Sequence, residues 1–169
     1  VGYIEGRALH HGEESYYDLP QPSSLRETLY QHCVRAIERS LLSRGEHGLP
    51  LIGSGDWNDG MNRVGEAGRG ESVWFGWFGC EVLRRFAEVA TLHHDDAFAQ
   101  RCVDETAKLR DALEKHAWDG AWYRRAYFDD GTPLGSAGND ECQIDSIAQS
   151  WSVLSGMASP QRRQQAMAS

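Results

Sequence analysis

Several kinds of site have no counterpart in this sequence of 169 residues. Its four cysteines lie far apart and form no CxxC pair, which argues against a zinc site or a disulfide framework and favours a reducing compartment. The seven histidines show no HxxxH or HExxH spacing, so no metal site is predicted. No apolar run reaches the roughly 18 residues that a membrane span needs, and no signal-peptide pattern is recognisable.

The chain also lacks an excess of positive charge. Lys and Arg together number 17 against 25 Asp and Glu, which gives a net charge of −8. This balance argues against nucleic acid or anionic lipid as a partner. A neutral or locally anion-binding substrate fits the composition better.

Helical patterns account for most of the chain, whose length suits one domain with a real core. Residues 1–22 carry Gly, Pro and polar residues without period, and an irregular arm is expected there. The predicted elements that follow are a helix of about 18 residues opened by a Ser24–Glu27 capping box, a helix after Ser72, a helix capped by Asp95 or Asp96, a short hairpin or an ordered loop within 118–138, a helix from about Ile144 to Gly156, and a last helix opened by Ser159-Pro160. Five helices joined by long loops are therefore expected.

Both ends of the chain favour a piece of a longer protein. The sequence begins at Val1 rather than Met, and the helix that opens at Ser159-Pro160 has only a few residues before Ser169. Part of the working site is therefore expected to lie outside these residues.

The loop GSGDWNDGMNRVG, residues 53–65, is the candidate site. An EF-hand starting at Asp56 would need an oxygen ligand at position 5 and Glu at position 12, but Gly60 and Ala67 occupy those positions. A phosphate-cradling P-loop is excluded because no GK[ST] follows. A carbohydrate site remains.

The chemistry of glycoside cleavage suits this loop. Protonation of a glycosidic oxygen needs a carboxylic acid beside an apolar wall that raises its pKa, and Asp59 with Trp57 matches that pairing. Asn58 offers a donor and an acceptor for sugar hydroxyls, and Gly60 permits a tight turn after the acid. An Asx-turn or helix cap beside a core tryptophan explains the same spacing, so spacing by itself leaves both interpretations open.

Four motifs in order carry a family resemblance. GDWNDGMNRVG, GESVWFGWF, DGTPLGS at 130–136 and QIDSIAQSWSVLSG at 143–156 closely resemble glycoside hydrolase family 94. Within that family, which includes cellobiose and chitobiose phosphorylases, the sequences of these motifs are most similar to the cyclic β-1,2-glucan synthase branch. The resemblance covers nearly the whole chain, which makes it far more specific than the loop on its own.

The resemblance implies an all-α fold, here part of an (α/α)6 barrel, with long loops and a short β-hairpin. Residues 1–169 would then be a fragment of a single catalytic domain of that type. The second aspartate of the family's motif, Asp59 here, is the general acid, and the tryptophan before it, Trp57, contacts the sugar. The implied reaction is inverting phosphorolysis of β-1,2-glucan, in which inorganic phosphate is co-substrate and no cofactor is needed. Phosphate replaces the base-activated water of an inverting hydrolase, so one protein carboxylic acid suffices.

The resemblance also sets the expected surroundings. The family's phosphate pocket depends on a downstream Glu-Asn-Gly stretch and a histidine that this chain lacks, so the isolated chain is expected to be inactive. Its expected partners are a β-glucan oligosaccharide, phosphate and the rest of a parent chain at the cytoplasmic face of a bacterial inner membrane. Self-association is expected where apolar faces are uncovered. Two alternatives stay open: a phosphorylase of another β-linked disaccharide, and a non-catalytic glucan-binding barrel that controls product length.

Further polar residues are candidates for substrate binding. Asp56 orients the loop or binds a hydroxyl, with the structural role favoured, and Arg63 attracts phosphate or a sugar chain or is simply solvated. Arg124 and Arg125 combine fork donors with neighbouring aromatics, a combination suited to an acceptor subsite. Gln143 borders a predicted helix near the site and is a further sugar-binding candidate.

Overall fold

The computed structural model describes residues 1–10, 13 and 16–169, with the side chain of Asp59 left out of the description. The chain divides into two compact units, Val1–Arg39 and Ser40–Ser169. The described residues are mostly helical, with five helices and two small sheets. This agrees with the expected helical class, while closure into an (α/α)6 barrel stays a prediction. None of the described helices has the length and apolar character required to cross a membrane.

The first unit contains a strand pair that the sequence did not predict. Strands β1, Gly2–Glu5, and β2, Gln21–Arg26, pair antiparallel, with an irregularity in register between Gly2 and Ile4. The expectation of a wholly irregular arm over 1–22 is therefore wrong at both of its ends. The reason is that β1 finds its partner about twenty residues later, beyond the reach of a local pattern.

The first helix begins later than predicted. Helix α1 spans Leu29–Leu41, because Ser24 lies in strand β2 and does not cap it. Thr28 and Gln31 form the capping box instead: the Gln31 amide N–H donates to Thr28 Oγ1 at 3.2 Å, and the Thr28 N–H donates to Gln31 Oε1 at 2.9 Å. The sequence therefore holds two overlapping cap patterns, and the second one opens the helix.

The second unit contains a small three-stranded sheet. Strands β3, Glu71–Ser72, β4, Ala126–Tyr127, and β5, Pro133–Leu134, pair antiparallel in the order β3-β4-β5. Strands β4 and β5 form the predicted hairpin, whereas β3 was not predicted. The sheet matters for the site because β3 follows the candidate loop directly and β4 lies beside it.

The two longest helices pack through glycines on one and leucines on the other. Helix α2 spans Val73–Leu92 and is capped by Ser72, whereas helix α3 spans Asp96–His116 and is capped by Asp95, one of its two predicted caps. A Cβ atom at Gly76 would lie 2.9 Å from Leu113, and one at Gly79 would lie 3.2 Å from Leu109. The glycines thus let the two helices approach closely, and the leucines fill the space.

The remaining helices close the core around aromatic side chains. Helix α4, Ser146–Leu154, begins after its N-cap Asp145, and helix α5, Pro160–Ala166, begins after Ser159. The Trp77 and Tyr123 rings meet edge to face, 5.1 Å apart and both fully buried. Buried Gln149 on α4 accepts from the Tyr123 N–H and donates to its carbonyl, so a side-chain amide holds this segment as a strand partner would.

Candidate active site

The candidate loop presents an exposed tip. Trp57 is 77% exposed, Asn58 is also exposed, and Asp59 begins a short 3-10 turn that ends at Met61. The tryptophan is therefore not in the core, which removes the structural alternative of a loop built around a buried indole. The side chain of Asp59 lies outside the described part of the chain.

Asp56 anchors the start of this tip. Each of its two carboxylate oxygens accepts a hydrogen bond from one terminal nitrogen of Arg125, at 2.8 Å. Ser72 Oγ and Trp74 Nε1 each donate to Oδ2 at 2.6 Å, and the Asn58 N–H donates to Oδ1 at 3.2 Å in an Asx-turn. This geometry agrees with the structural role favoured for Asp56, while the alternative, a hydrogen bond to a sugar hydroxyl, stays a prediction.

The Asp56 carboxylate is held in its charged form. Burial on its own would raise the pKa of Asp56, but hydrogen bonds from Arg125 and Ser72 and the adjacent positive charge hold it below the ordinary value. The side chains of Asp56 and Arg125 are each only 1% exposed. This pair is thus a buried, bidentate ion pair directly behind the exposed tip.

A second carboxylate fixes the segment that follows the loop. Asp129, just after strand β4, accepts from the N–H groups of Ala67, Arg69 and Gly70 at 2.7–2.8 Å. These amides hold the pKa of Asp129 below its ordinary value, although desolvation opposes them. One aspartate therefore holds the tip of the loop, and a second, from the β4–β5 hairpin, holds the segment that follows the loop.

The two arginines expected at an acceptor subsite are engaged within the protein. Arg124 lies 2.6 Å from Asp119 and donates to the His116 carbonyl and the Tyr127 hydroxyl, while Arg125 holds Asp56. The terminal nitrogens of both side chains thus have partners within the protein, which favours a positioning role for both arginines, while the expected sugar contact stays a prediction.

Gln143 and Arg63 remain available to a ligand. Gln143 is exposed, and its side-chain amide donates to the Asn139 carbonyl. Trp122 Nε1 lies 2.9 Å from both the Gly135 and the Gln143 carbonyl oxygens, which ties the 143 segment to the hairpin. The Arg63 side chain is 81% exposed and lies 3.5 Å from Glu66. Sugar or phosphate contacts by these two residues stay predictions.

Glu71 directly precedes Ser72, which is the N-cap of helix α2. The buried carboxylate of Glu71 accepts from the N–H groups of His47 and Leu49 and pairs with the His47 ring. The His47 ring stacks on Tyr127 with centroids 4.1 Å apart. Glu71 therefore organises the turn that leads into the loop.

The side chains around the loop are suited to hydroxyl groups. Among the residues that the structure describes, no group of three or more His, Cys, Asp or Glu side chains is arranged to hold a metal ion. The described groups exposed at the tip are the Trp57 indole and the Asn58 side-chain amide. Such a set fits a hydroxyl-rich ligand.

With this geometry established, comparison with known proteins gives the family. Residues 1–169 match the model described as "Glycosyl hydrolase 94 superfamily, catalytic domain", and the chain belongs to that family. It is 49% identical over 167 residues to cyclic beta-(1,2)-glucan synthase NdvB of Rhizobium meliloti (strain 1021), a match that covers 99% of this chain and 6% of that protein.

Other relatives are named as phosphorylases. The chain is 36% identical over 146 residues to 3-O-beta-D-glucopyranosyl-beta-D-glucuronide phosphorylase of Paenibacillus borealis, covering 86% of this chain and 19% of that protein. It is 34% identical over 144 residues to cellobionic acid phosphorylase of Neurospora crassa, covering 85% of this chain and 18% of that protein. The chain thus spans less than a fifth of the length of each of these relatives.

Proposed function

We propose that this chain carries the general-acid loop of an inverting glycoside phosphorylase that acts on β-1,2-linked glucan during cyclic glucan synthesis. The observation that carries the proposal is the loop tip with exposed Trp57 and Asn58, held by the buried Asp56–Arg125 pair. Family membership and similarity to a protein named as a cyclic glucan synthase support it.

The proposed reaction exchanges one bond at the anomeric carbon for another. A phosphate oxygen attacks that carbon on the face opposite the leaving sugar, the glycosidic bond breaks, and its electron pair goes to the departing oxygen. Asp59 donates the proton that this oxygen takes up, and α-glucose 1-phosphate forms with inversion. Trp57 provides an apolar surface beside the acid, which favours the protonated carboxyl.

The side chains that are exposed at the site are the ones proposed to contact the substrates. Trp57 stacks on a sugar ring, Asn58 and Gln143 exchange hydrogen bonds with hydroxyls, and Arg63 attracts the anionic co-substrate. Asp56 and Arg125 support the loop from behind.

The surroundings of the site are part of the proposal. Phosphate is bound mainly by residues beyond this chain, within a larger protein at the cytoplasmic face of a bacterial inner membrane, and no cofactor besides phosphate is required. The isolated chain is inactive and self-associates through faces that other segments cover. Exposed apolar side chains such as Leu92, Val103 and Leu154 are consistent with such faces.

The test compares Asp59→Asn with wild type in the full-length protein. β-1,2-glucan oligosaccharides and inorganic phosphate are supplied, and α-glucose 1-phosphate is measured. Loss of a general acid is expected to lower kcat about 10²- to 10⁴-fold. Asp111→Asn is the matched control, because Asp111 is an exposed aspartate on helix α3 that pairs only locally with Arg110. Phosphorolysis that survives Asp59→Asn would refute the acid assignment.

The same assay separates the two alternatives. Activity on a different β-linked disaccharide, with none on β-1,2-glucan, would favour another linkage, as the names of the phosphorylase relatives suggest. Glucan binding without glucose 1-phosphate formation would favour a length-controlling barrel.

A further inference from the structure

We infer that Arg125 is the positioning residue of the acid loop, acting through Asp56, and that it couples this loop to the segment that begins helix α4. The inference rests on the proposed function, because that function assigns the loop a reacting group, Asp59, that must be held in place. It concerns two side chains that touch neither substrate nor reacting atoms in the proposed mechanism.

The first support is the geometry and burial of the pair. Two parallel N–H···O bonds of 2.8 Å fix the plane as well as the position of the Asp56 carboxylate. Removal of two charges from water is costly, and a buried ion pair often adds little net stability compared with apolar side chains. We therefore attribute this pair to the geometry it specifies and not to stability.

The second support is the route from Asp56 to the acid. The Asn58 N–H donates to Asp56 Oδ1, and the Met61 N–H donates to the Asn58 carbonyl at 3.0 Å. The backbone from 56 to 61 is thus a continuous chain of short turns that includes Asp59. An error in the orientation of the Asp56 carboxylate is therefore transmitted to the backbone that carries the acid.

The third support is that Arg125 itself is held by the sheet. Its carbonyl accepts from the Val73 N–H at 3.1 Å, and its N–H donates to the Leu134 carbonyl at 2.8 Å. A Cβ atom at Gly135, where φ is +75°, would lie 2.7 Å from the Arg125 nitrogen. The hairpin therefore lacks a side chain where Arg125 passes, and the arginine starts from a fixed backbone.

The Nε atom of Arg125 couples the acid loop to the segment that begins helix α4. Arg125 Nε is buried without a hydrogen-bond partner among the described residues, and it lies 3.6 Å from Asp145 Oδ2. The other oxygen of Asp145 accepts from the Ile147 N–H at 2.8 Å and caps helix α4. The acid loop and the segment that follows Gln143 thus converge on one guanidinium from opposite edges.

The test uses full-length Arg125→Lys, which keeps the charge and removes the fork. Phosphorolysis is measured with two donors, a β-1,2-glucan oligosaccharide and β-glucosyl fluoride, because departing fluoride requires little proton donation. A misplaced acid is expected to lower kcat for the oligosaccharide about 10- to 100-fold. The loss with the fluoride should stay below about threefold, and KM for phosphate should not change.

Two further variants separate positioning from stability. Arg162→Lys is the matched control, since Arg162 forms a partly buried ion pair with Glu114 far along the chain from the loop; its activity should be unchanged even if its melting temperature falls. Asp145→Ser keeps an N-cap side chain but loses the ion pair. It should lower the oligosaccharide kcat about threefold, the size expected for a long ion pair with one partly exposed partner.

Several outcomes would overturn the inference. Equal losses with both donors in Arg125→Lys would indicate general disruption and not a misplaced acid. If that variant does not fold, Asp56→Asn, which preserves the shape of the carboxyl group, is measured in the same way. Amide hydrogen exchange over 57–61 is an independent reading: unchanged exchange in a folded Arg125→Lys variant would refute the positioning role. Wild type without activity on either donor refutes the proposed function, and amide exchange then decides the positioning role alone.

Discussion

The contact between Gly76 and Leu113 allows a quantitative test of the core. A Cβ atom at Gly76 would lie 2.9 Å from Leu113 Cδ2 and 3.3 Å from Cδ1, and Leu113 is fully buried. Overpacking of this kind costs about 1–3 kcal/mol, while Gly to Ala in a helix gains about 1 kcal/mol. Gly76→Ala is therefore expected to destabilise the protein by about 0–2 kcal/mol.

The double-mutant cycle isolates the clash. Leu113→Ala on its own should cost about 2–5 kcal/mol, because it leaves a cavity. In that background the clash is gone, so Gly76→Ala should stabilise by about 1 kcal/mol. The expected coupling energy between the two sites is therefore about 1–3 kcal/mol.

The assay is urea unfolding of the four proteins of the cycle, followed by tryptophan fluorescence. Gly79→Ala is the control, since its Cβ atom would meet a single atom of Leu109 at 3.2 Å, and its net effect should be near zero. The reasoning would be refuted if Gly76→Ala stabilised the wild-type protein and the Leu113→Ala variant equally.

Two further predictions concern acid pH and the exposed indole. Burial opposes ionisation of Asp56, Asp119 and Asp129, but their hydrogen bonds lower the pKa of all three carboxyl groups. A carboxyl group whose pKa is lower in the folded than in the unfolded state stabilises the fold above about pH 4. This contribution is lost as the pH falls through the folded-state pKa. The melting temperature should therefore drop between about pH 5 and 3, with a shallower drop in Asp129→Asn, and an identical drop would contradict this. Trp57→Ala should weaken glucan binding about tenfold by fluorescence titration, whereas Trp57→Phe should retain most of it; equal affinity in all three proteins would exclude stacking.

The helices of this chain are predictable because their signals are local. Caps at Ser72, Asp95 and Ser159 and the apolar spacing between them suffice to locate α2, α3 and α5. Strands β1 and β3 are missed because each is short and depends on a partner distant in sequence. The predicted start of α1 is too early because two cap patterns lie close together. The first of them, at Ser24, belongs to strand β2, which pairs with β1.

The candidate loop is recognisable from its residues, but its support is not. Asp56 and Arg125 are 69 positions apart, so spacing gives no signal of their ion pair. The dipeptide Asp129-Asp130 before Gly131 predicts a turn, which is correct, but the three amides that Asp129 binds belong to another loop. Arginines beside aromatics resemble a sugar subsite, and only the fold reveals the carboxylates that they meet.

The distance along the chain between the loop and its supports has a consequence for biosynthesis. Arg125 binds Asp56, and Asp129 binds the amides of residues 67–70, so these contacts join positions about 60 to 69 residues apart. Contacts over such separations form slowly compared with helices. During synthesis from the N-terminus, helices α2 and α3 are complete before the β4–β5 hairpin emerges. The candidate loop is therefore among the last parts of this chain to take shape, and a nascent chain cannot present it before its own scaffold is finished.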